Sequence, residues 1–326
     1  MSRASRARRI ATAAAYGGGG LGALAGLGGA ALVGLLVGES KLARRRIPQA
    51  LDDAPPTDDT TWAAPGIPSG RTPVEFAMLG DSLAAGYGVR TPGETPAAQL
   101  ARSISAAARR SVHVTNVAIV GAETTLLAEQ LDALGHRHLD LAVIIVGAND
   151  VTHRIKPVDS VRALETSVRA LTDRGVEVVV GTCPDLGAIR PLWQPLRAYA
   201  RRMSRTLAAA QTVAVVRAGG RTVSLGDLVG PLFTESPALF ADDQFHPSAR
   251  GYAASAEAML PSCLDALGLA TKSRSASVLT TRRSKPIERA AAQAATHPGT
   301  EVLGAPAPSN RERGYRARLR RRRAVG

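Results

Sequence analysis

The chain has 326 residues, of which 45% are hydrophobic and only 3% aromatic, and a formal net charge of +14. This length suits one domain of about 200 residues with appendages. Residues 1–46 carry a net charge of +7 and residues 271–326 carry +11, whereas residues 47–270 carry −4, so a uniformly basic protein is excluded.

The first 46 residues contain a candidate membrane segment. Residues 10–38 have no charged side chain and, at about 1.5 Å per residue, are long enough to cross a hydrocarbon core of about 30 Å. They predict one N-terminal membrane helix. Two other interpretations stay open: a cleaved signal peptide, which would give a secreted protein, and a soluble tail rich in Ala and Gly.

Small residues recur at every fourth position of this segment. On a helix they form one face, which allows close approach and self-association of helices in a membrane. A bias toward Ala and Gly would also produce such spacings by chance, and both interpretations are open. The stripe consists of Gly18, Gly22, Gly26, Ala30, Gly34 and Gly38.

Basic residues flank residues 10–38 on both sides, so their contributions to membrane orientation nearly cancel. We favour a cytoplasmic N-terminus, with the rest of the chain anchored on the extracytoplasmic side. Residues 47–72 are rich in Pro and predict an extended linker.

In residues 73–270, apolar runs typical of strands alternate with helical stretches. This alternation predicts an α/β domain with a parallel sheet and helices on both faces. The predicted strands are 76–79, 112–120, 141–146, 176–180 and 213–216. The predicted helices are 95–110, which begins with Thr95 as N-cap and Pro96 as first residue, 125–134, 158–174, 192–210 and 248–267.

Ser82 follows the first predicted strand of this domain. The strand ends at Gly80, where the backbone is free to turn sharply. Ligands bind at the carboxyl ends of parallel strands, so Ser82 is a candidate nucleophile. The alternative is an ordinary turn with a solvated hydroxyl.

A serine needs a base and a group that orients the base. Asp243 lies three residues before His246, a spacing that lets the carboxylate bind one imidazole nitrogen while the other faces Ser82. Asp242 is a rival orienting carboxylate. His153, three residues after Asp150, is a rival base.

Two further strand ends supply candidate hydrogen-bond donors for an oxyanion. The side-chain amide of Asn149, just after Gly147, is one donor, and the backbone N–H of Gly121 is the other. Asp81 and Asp150 adjoin better candidates for chemistry, so we expect both to hold their loops through backbone hydrogen bonds.

Four sequence blocks occur in a fixed order: Gly-Asp-Ser-Leu, the block at Gly121, Gly-Ala-Asn-Asp and Asp-Gln-Phe-His-Pro. With these blocks, residues 73–268 resemble the SGNH hydrolases, also called the GDSL esterase/lipase family. The resemblance implies a flavodoxin-like three-layer α/β/α sandwich. Together with the five strands predicted from the apolar runs, this gives a parallel sheet of five strands. It also implies a triad of Ser82, His246 and Asp243. The implied oxyanion hole consists of the backbone N–H groups of Ser82 and Gly121 and the amide of Asn149. One departure concerns the block at Gly121: many members carry a small polar residue near the glycine, whereas this chain has Gly121-Ala122-Glu123-Thr124. The departure affects what is expected of the substrate pocket and not the triad.

The resemblance implies a serine esterase that needs no cofactor and no metal. The scarcity of aromatic residues gives little support to a sugar-binding platform, and therefore favours small acyl or lipid esters. The alternative is an anchored binding module with a dormant hydrolase fold. Its basic tail, residues 271–326, would bind an anionic surface such as lipid headgroups, an envelope polymer or nucleic acid.

Several other residues offer weaker signals. His136, His138 and Asp140 lie on one short loop and are weak candidates for metal ligands. Cys183 and Cys263 are expected to be small buried thiols instead of a disulfide. The apolar segment 192–196 is expected either to line an acyl pocket or to pack the start of a helix on the sheet.

Overall fold

The computed structural model of the protein describes residues 38–39, 54–67 and 71–269, and its centre is a six-stranded sheet. The strands are β1 (Thr61–Trp62), β2 (Val74–Gly80), β3 (Val112–Asn116), β4 (Leu141–Ile145), β5 (Glu177–Gly181) and β6 (Arg221–Val223). Their order is β1-β3-β2-β4-β5-β6, in which β2 to β6 are parallel and β1 pairs antiparallel with β3. The predicted five-stranded parallel sheet is thus corrected to a mixed sheet with five parallel strands and one short antiparallel edge strand.

Helices cover both faces of the sheet. They are α1 (Ser82–Ala85), α2 (Pro96–Ala108), α3 (Leu127–Leu134), α4 (Ala148–Thr152), α5 (Pro157–Asp173), α6 (Leu196–Arg217), α7 (Leu225–Leu228), α8 (Gly230–Glu235) and α9 (Ala249–Ala266). Phe76 and Met78 of β2 point into the core under α2 and α9, whereas Ala77 and Leu79 point into the core under α3, α5 and α6. This alternation, the period of two of a strand, produces the predicted three layers.

The strand order locates the place where a ligand is expected. After β2 the chain moves to β3 on one side, and after β4 it moves to β5 on the other side. The crevice outside the carboxyl ends of β2 and β4 is therefore the topological switch point, where ligands bind in open α/β sheets. Ser82 directly follows β2, and Asn149 follows β4.

The predicted strand 213–216 was wrong. These residues lie inside α6, and the fifth parallel strand is β6, which begins at Arg221. Val215 is fully buried in the core beneath the helix. Buried β-branched residues cost a helix only a few tenths of a kcal/mol each, so packing overrode their strand preference. The helix ends where Gly219 adopts φ +86°.

The predicted second strand was too long. Strand β3 ends at Asn116, and the chain continues beside β2 through hydrogen bonds from Val117 N to Met78 O and from Ile119 N to Gly80 O. Ile119 and Val120, beyond the end of β3, are exposed.

Part of the predicted linker, residues 47–72, is built into the domain. It contains β1, and it buries Asp58, which is only 2% exposed. The Asp58 carboxylate accepts hydrogen bonds from Thr95 Oγ1 at 2.6 Å and from Asn116 Nδ2 at 2.9 Å. These contacts bind residues 54–67 to the start of α2 and the end of β3. Burial raises the pKa of Asp58, against the effect of these bonds.

The predicted membrane helix and basic tail lie outside the described residues, except for Gly38 at the end of the first segment. Among the residues that are described, none of the helices combines the length and the apolar character needed to cross a membrane. The anchor, its orientation and its self-association stay predictions.

We predict that Asp58→Ala lowers the free energy of unfolding by about 1–3 kcal/mol, because it leaves the buried donors of Thr95 and Asn116 short of an acceptor. Denaturant unfolding measures the change. The exposed neighbour Asp59 provides the matched control, and Asp59→Ala should stay within about 0.5 kcal/mol of the wild type. Equal effects of the two changes would show that residues 54–67 do not stabilise the domain.

Candidate active site

A sharp turn at the end of β2 presents Ser82. Gly80 adopts φ +136°, and a Cβ atom at this position would lie 1.9 Å from the carbonyl oxygen of Ile145. Asp81 then caps the short helix α1 by accepting a hydrogen bond from Leu83 N at 2.9 Å. Ser82 is the first residue of α1, so its hydroxyl stands above the carboxyl edge of the sheet.

Ser82, His246 and Asp243 form a continuous chain of hydrogen bonds. Ser82 Oγ lies 3.0 Å from His246 Nε2, and His246 Nδ1 lies 2.6 Å from Asp243 Oδ2. Asp243 Oδ1 also accepts the backbone N–H groups of Phe245 and His246, each at 2.9 Å. The structure thus brings together the three residues that the sequence singled out, although they lie up to 164 positions apart.

The environment keeps Asp243 ionised. Burial acts to raise the pKa of Asp243, but the hydrogen bonds from His246 and Phe245 outweigh it, and the pKa lies below its ordinary value. Asp242, the rival carboxylate, is exposed. Asp243 is therefore the acid that contacts the imidazole.

Aromatic side chains hold the His246 ring. The rings of Tyr87 and Phe245 pack edge-on against it, with centroid distances of 4.7 and 4.8 Å. Buried Tyr252 donates a hydrogen bond to Tyr87 O at 2.7 Å and so helps to hold Tyr87 against the His246 ring. Sequence reasoning missed Tyr252. The available signal was the Gly251-Tyr252 pair soon after the histidine. In the structure Gly251 is required because a Cβ there would lie 2.2 Å from Leu239 O.

Two of the three predicted oxyanion donors, Gly121 and Asn149, lie on neighbouring loops. Asn149 Nδ2 donates a hydrogen bond to Ala122 O at 3.0 Å, which joins the loop after β4 to the residue that follows Gly121. Gly121 is exposed and adopts φ +81°, a conformation that favours glycine. Gly147 adopts φ +128° before Asn149, and a Cβ there would lie 2.9 Å from the Gln211 side chain.

Asp150 holds these loops together. Its carboxylate accepts hydrogen bonds from Thr124 N at 3.1 Å, from Thr124 Oγ1 at 2.9 Å and from Ser160 Oγ. The rival pairing of Asp150 with His153 does not occur, because His153 Nδ1 contacts Glu123 Oε1 at 2.9 Å. Asp150 therefore joins the Gly121 loop and the start of α5 to the loop of Asn149.

Asp81 is a fully buried carboxyl group beside Ser82. Burial raises the pKa of Asp81 to about 7, while the Leu83 hydrogen bond lowers it and the charge of Asp150 raises it further. The nearby backbone N–H groups of Gly147 and Ala148 also lower it. Within the described part of the chain, Asp81 Oδ2 has no hydrogen bond of ordinary geometry.

An apolar pocket opens beside Ser82. Its walls come mainly from the segment after β5, from α7 and α8, and from the loop that carries His246. The lining includes Leu83, Ile145, Leu186, Ile189, Leu225, Val229, Phe233, Phe240, Phe245 and Tyr252. Segment 192–196 does not line it; Leu192 instead packs against Leu186 and Ala200.

Cys183 and Cys263 are both buried and unbridged. His138 lies 3.4 Å from Asp140, but in residues 54–67 and 71–269 no group of three or more His, Cys, Asp or Glu side chains is arranged to hold a metal ion.

Residues 78–254 match the family model of the GDSL-like lipase/acylhydrolase family. The GDSL-like esterase Rv1075c of Mycobacterium tuberculosis is 41% identical over 257 residues, which cover 76% of this chain and 82% of that protein. Among solved structures, the lipase/acylhydrolase from Enterococcus faecalis is 21% identical, with a TM-score of 0.44 over 57% of this chain and 93% of that one. A lipolytic G-D-S-L protein from Veillonella parvula is 17% identical, with a TM-score of 0.46 over 57% and 96%.

We predict that Asp81→Asn changes how stability depends on pH. Because the pKa of Asp81 is about 7 in the folded state and 3.8 for an unperturbed aspartate side chain, the stability it contributes is present below about pH 4 and is lost as pH rises through 7. The unfolding free energy of the wild type minus that of the variant should fall with pH, by up to about 1.4 kcal/mol per unit.

Denaturant unfolding between pH 4 and pH 8 tests this expectation. Asp242→Asn, at the exposed neighbour of Asp243, is the control and should keep the trend of the wild type. A difference between the wild type and Asp81→Asn that does not vary with pH would contradict the expectation.

Proposed function

Because the chain belongs to the GDSL-like lipase/acylhydrolase family and is a carboxylic ester hydrolase, we propose that it cleaves acyl or lipid esters through a covalent intermediate on Ser82. The observation that carries this proposal is the hydrogen-bond chain from Ser82 Oγ through His246 to Asp243. A serine, a base and a carboxylate in this geometry are what acyl transfer requires.

In the first half of the reaction, Ser82 Oγ attacks the ester carbonyl carbon while its proton passes to His246 Nε2. Asp243 holds Nδ1 of the ring and stabilises the imidazolium that forms. Collapse of the tetrahedral intermediate breaks the bond to the alcohol oxygen, which takes the proton from Nε2. The acyl group is then bound to Ser82 Oγ.

Three donors are proposed to bind the oxyanion: the backbone N–H groups of Ser82 and Gly121 and the amide of Asn149. An amide nitrogen carries two hydrogens, so the bond from Asn149 Nδ2 to Ala122 O leaves one hydrogen for the substrate. That bond also fixes the plane of the amide before substrate binds. Preorganised donors of this kind lower the energy of the transition state.

In the second half, water replaces the alcohol. His246 Nε2 takes a proton from the water, the hydroxide attacks the acyl carbon, and the proton then returns to Ser82 Oγ as the acid leaves. No redox step occurs, so these residues can carry the whole cycle.

The pocket beside Ser82 supports an apolar acyl group as the part of the substrate that is recognised. Leu225, Val229 and Phe233 form one wall, and Ile189 lies in the lining contributed by the segment after β5. Apolar surfaces of this kind favour hydrocarbon over sugar hydroxyls, which would lose their hydrogen bonds to water.

We predict graded losses from substitutions at the site. Ser82→Ala and His246→Ala should each remove nearly all esterase activity, because the two residues act as a unit. Asn149→Ala should lower kcat by about 10²- to 10³-fold with KM little changed. Asp243→Asn should fall between these effects.

Initial rates on a soluble ester measure the losses, and Asp242→Asn is the matched control with activity near the wild type. The assignment of the orienting carboxylate would be contradicted if Asp242→Asn lost most of the esterase activity while Asp243→Asn kept the activity of the wild type.

A fluorophosphonate should label the wild-type chain and not Ser82→Ala, since it reacts with an activated serine. Circular dichroism of both proteins verifies that they are folded. Absence of labelling in a well-folded wild type would overturn the proposal and favour a binding module.

We predict that Phe233 limits the length of the acyl group. Phe233→Leu removes part of the pocket wall, and should raise the ratio of kcat/KM for an octanoyl ester over an acetyl ester by about tenfold. Leu232→Ala, at the exposed neighbour on the same helix, is the control and should leave the ratio unchanged. An unchanged ratio in Phe233→Leu would show that the acyl group binds elsewhere.

A further inference from the structure

The large apolar side chains that are exposed in the described part of the chain all belong to segments that follow parallel strands. They are Ile119, Val120, Val158, Trp193, Tyr199, Leu228 and Leu232. The first two follow β3, Val158 is the second residue of α5 after β4, the two aromatic residues precede or begin α6 after β5, and the last two lie on α7 and α8 after β6.

The carboxyl edge of the sheet, from which these segments run, is also where Ser82 and the apolar pocket lie. None of the exposed side chains just named lines the pocket itself. Exposed apolar side chains scattered over a whole surface need no explanation, but a set of them that follows one edge of a sheet indicates an interaction site. We call this edge of the sheet the rim, and it is the surface that we expect to meet a partner.

The charge of the rim indicates the chemistry of that partner. Residues 186–210, from the segment after β5 to the middle of α6, contain no acidic residue and five arginines. Arg201 and Arg205 pair with Asp185. The other three near the start of α6 have no carboxylate within 4 Å among the described residues; these are Arg190, Arg197 and Arg202. Arg190 and Arg202 are exposed, whereas Arg197 Nη2 donates a hydrogen bond to Arg190 O at 2.9 Å.

Two exposed aromatic side chains lie close to these arginines along the chain. Trp193 is 58% exposed and Tyr199 is 44% exposed, and Arg197 N donates a hydrogen bond to Trp193 O at 2.7 Å. Tyr199 and Arg202 are three residues apart on α6 and lie on the same face. We name Arg190, Trp193, Arg197, Tyr199 and Arg202 the Trp193 patch.

The position of Glu39 provides an independent observation. Its Oε2 accepts a hydrogen bond from Leu196 N, the first residue of α6, at 2.9 Å. Glu39 directly follows residues 10–38, the predicted membrane segment. The end of that segment therefore lies beside the Trp193 patch.

We propose that the Trp193 patch docks on an anionic lipid surface and turns the mouth of the pocket toward it. Trp and Tyr rings favour the level of the lipid headgroups, where an apolar body and a polar tip are both satisfied. Arginine side chains bind anionic headgroups. The proposal goes beyond the proposed reaction, since it does not depend on which ester is cleaved.

Fluorescence of Trp193 tests the docking directly. The chain has two tryptophans, so Trp62→Phe in the full chain leaves Trp193 as the only reporter. This variant is mixed with phosphatidylcholine vesicles that contain phosphatidylglycerol, with or without brominated acyl chains. Bromine quenches a tryptophan only at short range, so quenching is expected if the patch docks. A chain held at the vesicle by its tail alone would float with the vesicles without quenching, and a chain held by residues 10–38 alone would be quenched equally by neutral and anionic vesicles.

Three controls make the result specific. Trp193→Phe, in which Trp62 reports, should show no quenching, because Trp62 packs in β1 near Arg102. Vesicles of phosphatidylcholine alone should quench Trp193 much less. Arg190→Gln combined with Arg202→Gln should lower the ratio of docked to undocked chain by about tenfold while leaving hydrolysis of a soluble short-chain ester unchanged.

Vesicle-bound protein without quenching of Trp193, or equal quenching by neutral and anionic vesicles, would overturn the proposal, as would the absence of vesicle binding. Failure of the proposed function appears separately, as a wild-type chain that docks and quenches but does not hydrolyse the soluble ester.

Discussion

The close approach of two backbones at the end of β2 is the constraint on which the site depends. Asp81 N donates a hydrogen bond to Ile145 O at 3.0 Å, and Gly80 leaves no room for a side chain between the strands. Gln130 closes the same junction by bonding both Gly80 N, at 2.8 Å, and Gly80 O, at 2.9 Å. The chain must turn here, and the turn directs Asp81 into the protein and Ser82 out of it.

The other parts of the site are carried by loops that meet the same sheet edge, and hydrogen bonds join them there. Asp150 connects three of these segments, and Tyr252 connects the last helix to the loop after α1. Burying Asp81 without a full set of hydrogen bonds costs stability. The cost is acceptable because the large apolar cores on the two faces of the sheet stabilise the domain independently of the site.

The sequence was sufficient for those features that depend on local chemistry. The turn at Gly80 and the spacing of Asp243 and His246 are local, and the structure has both, as it has the N-cap at Thr95. Features that depend on tertiary packing were either not predicted or predicted wrongly. A valine run became helical because the core accepts it, and β1 and β6 are too short to have a periodic pattern.

The pocket could not be predicted for a related reason. Its walls come from six separated segments, and the two that supply much of the apolar lining, residues 184–189 and 225–233, have no distinctive motif. Phe233 and Phe240 contact each other at a centroid distance of 4.9 Å only because α8 and the following turn fold back over the sheet. A sequence shows that such residues are apolar, but it does not show which of them face a substrate.

The central claim is that an acyl group is transferred to Ser82 before water attacks it. Rapid mixing of the full chain with a chromogenic ester, followed by acid quenching and mass spectrometry of its peptides, tests this claim most directly. The account predicts that the acyl mass appears on the peptide containing Ser82, and that it appears and decays at rates consistent with turnover. Steady hydrolysis with no acylated peptide at any time, even with slow-reacting esters, would contradict it.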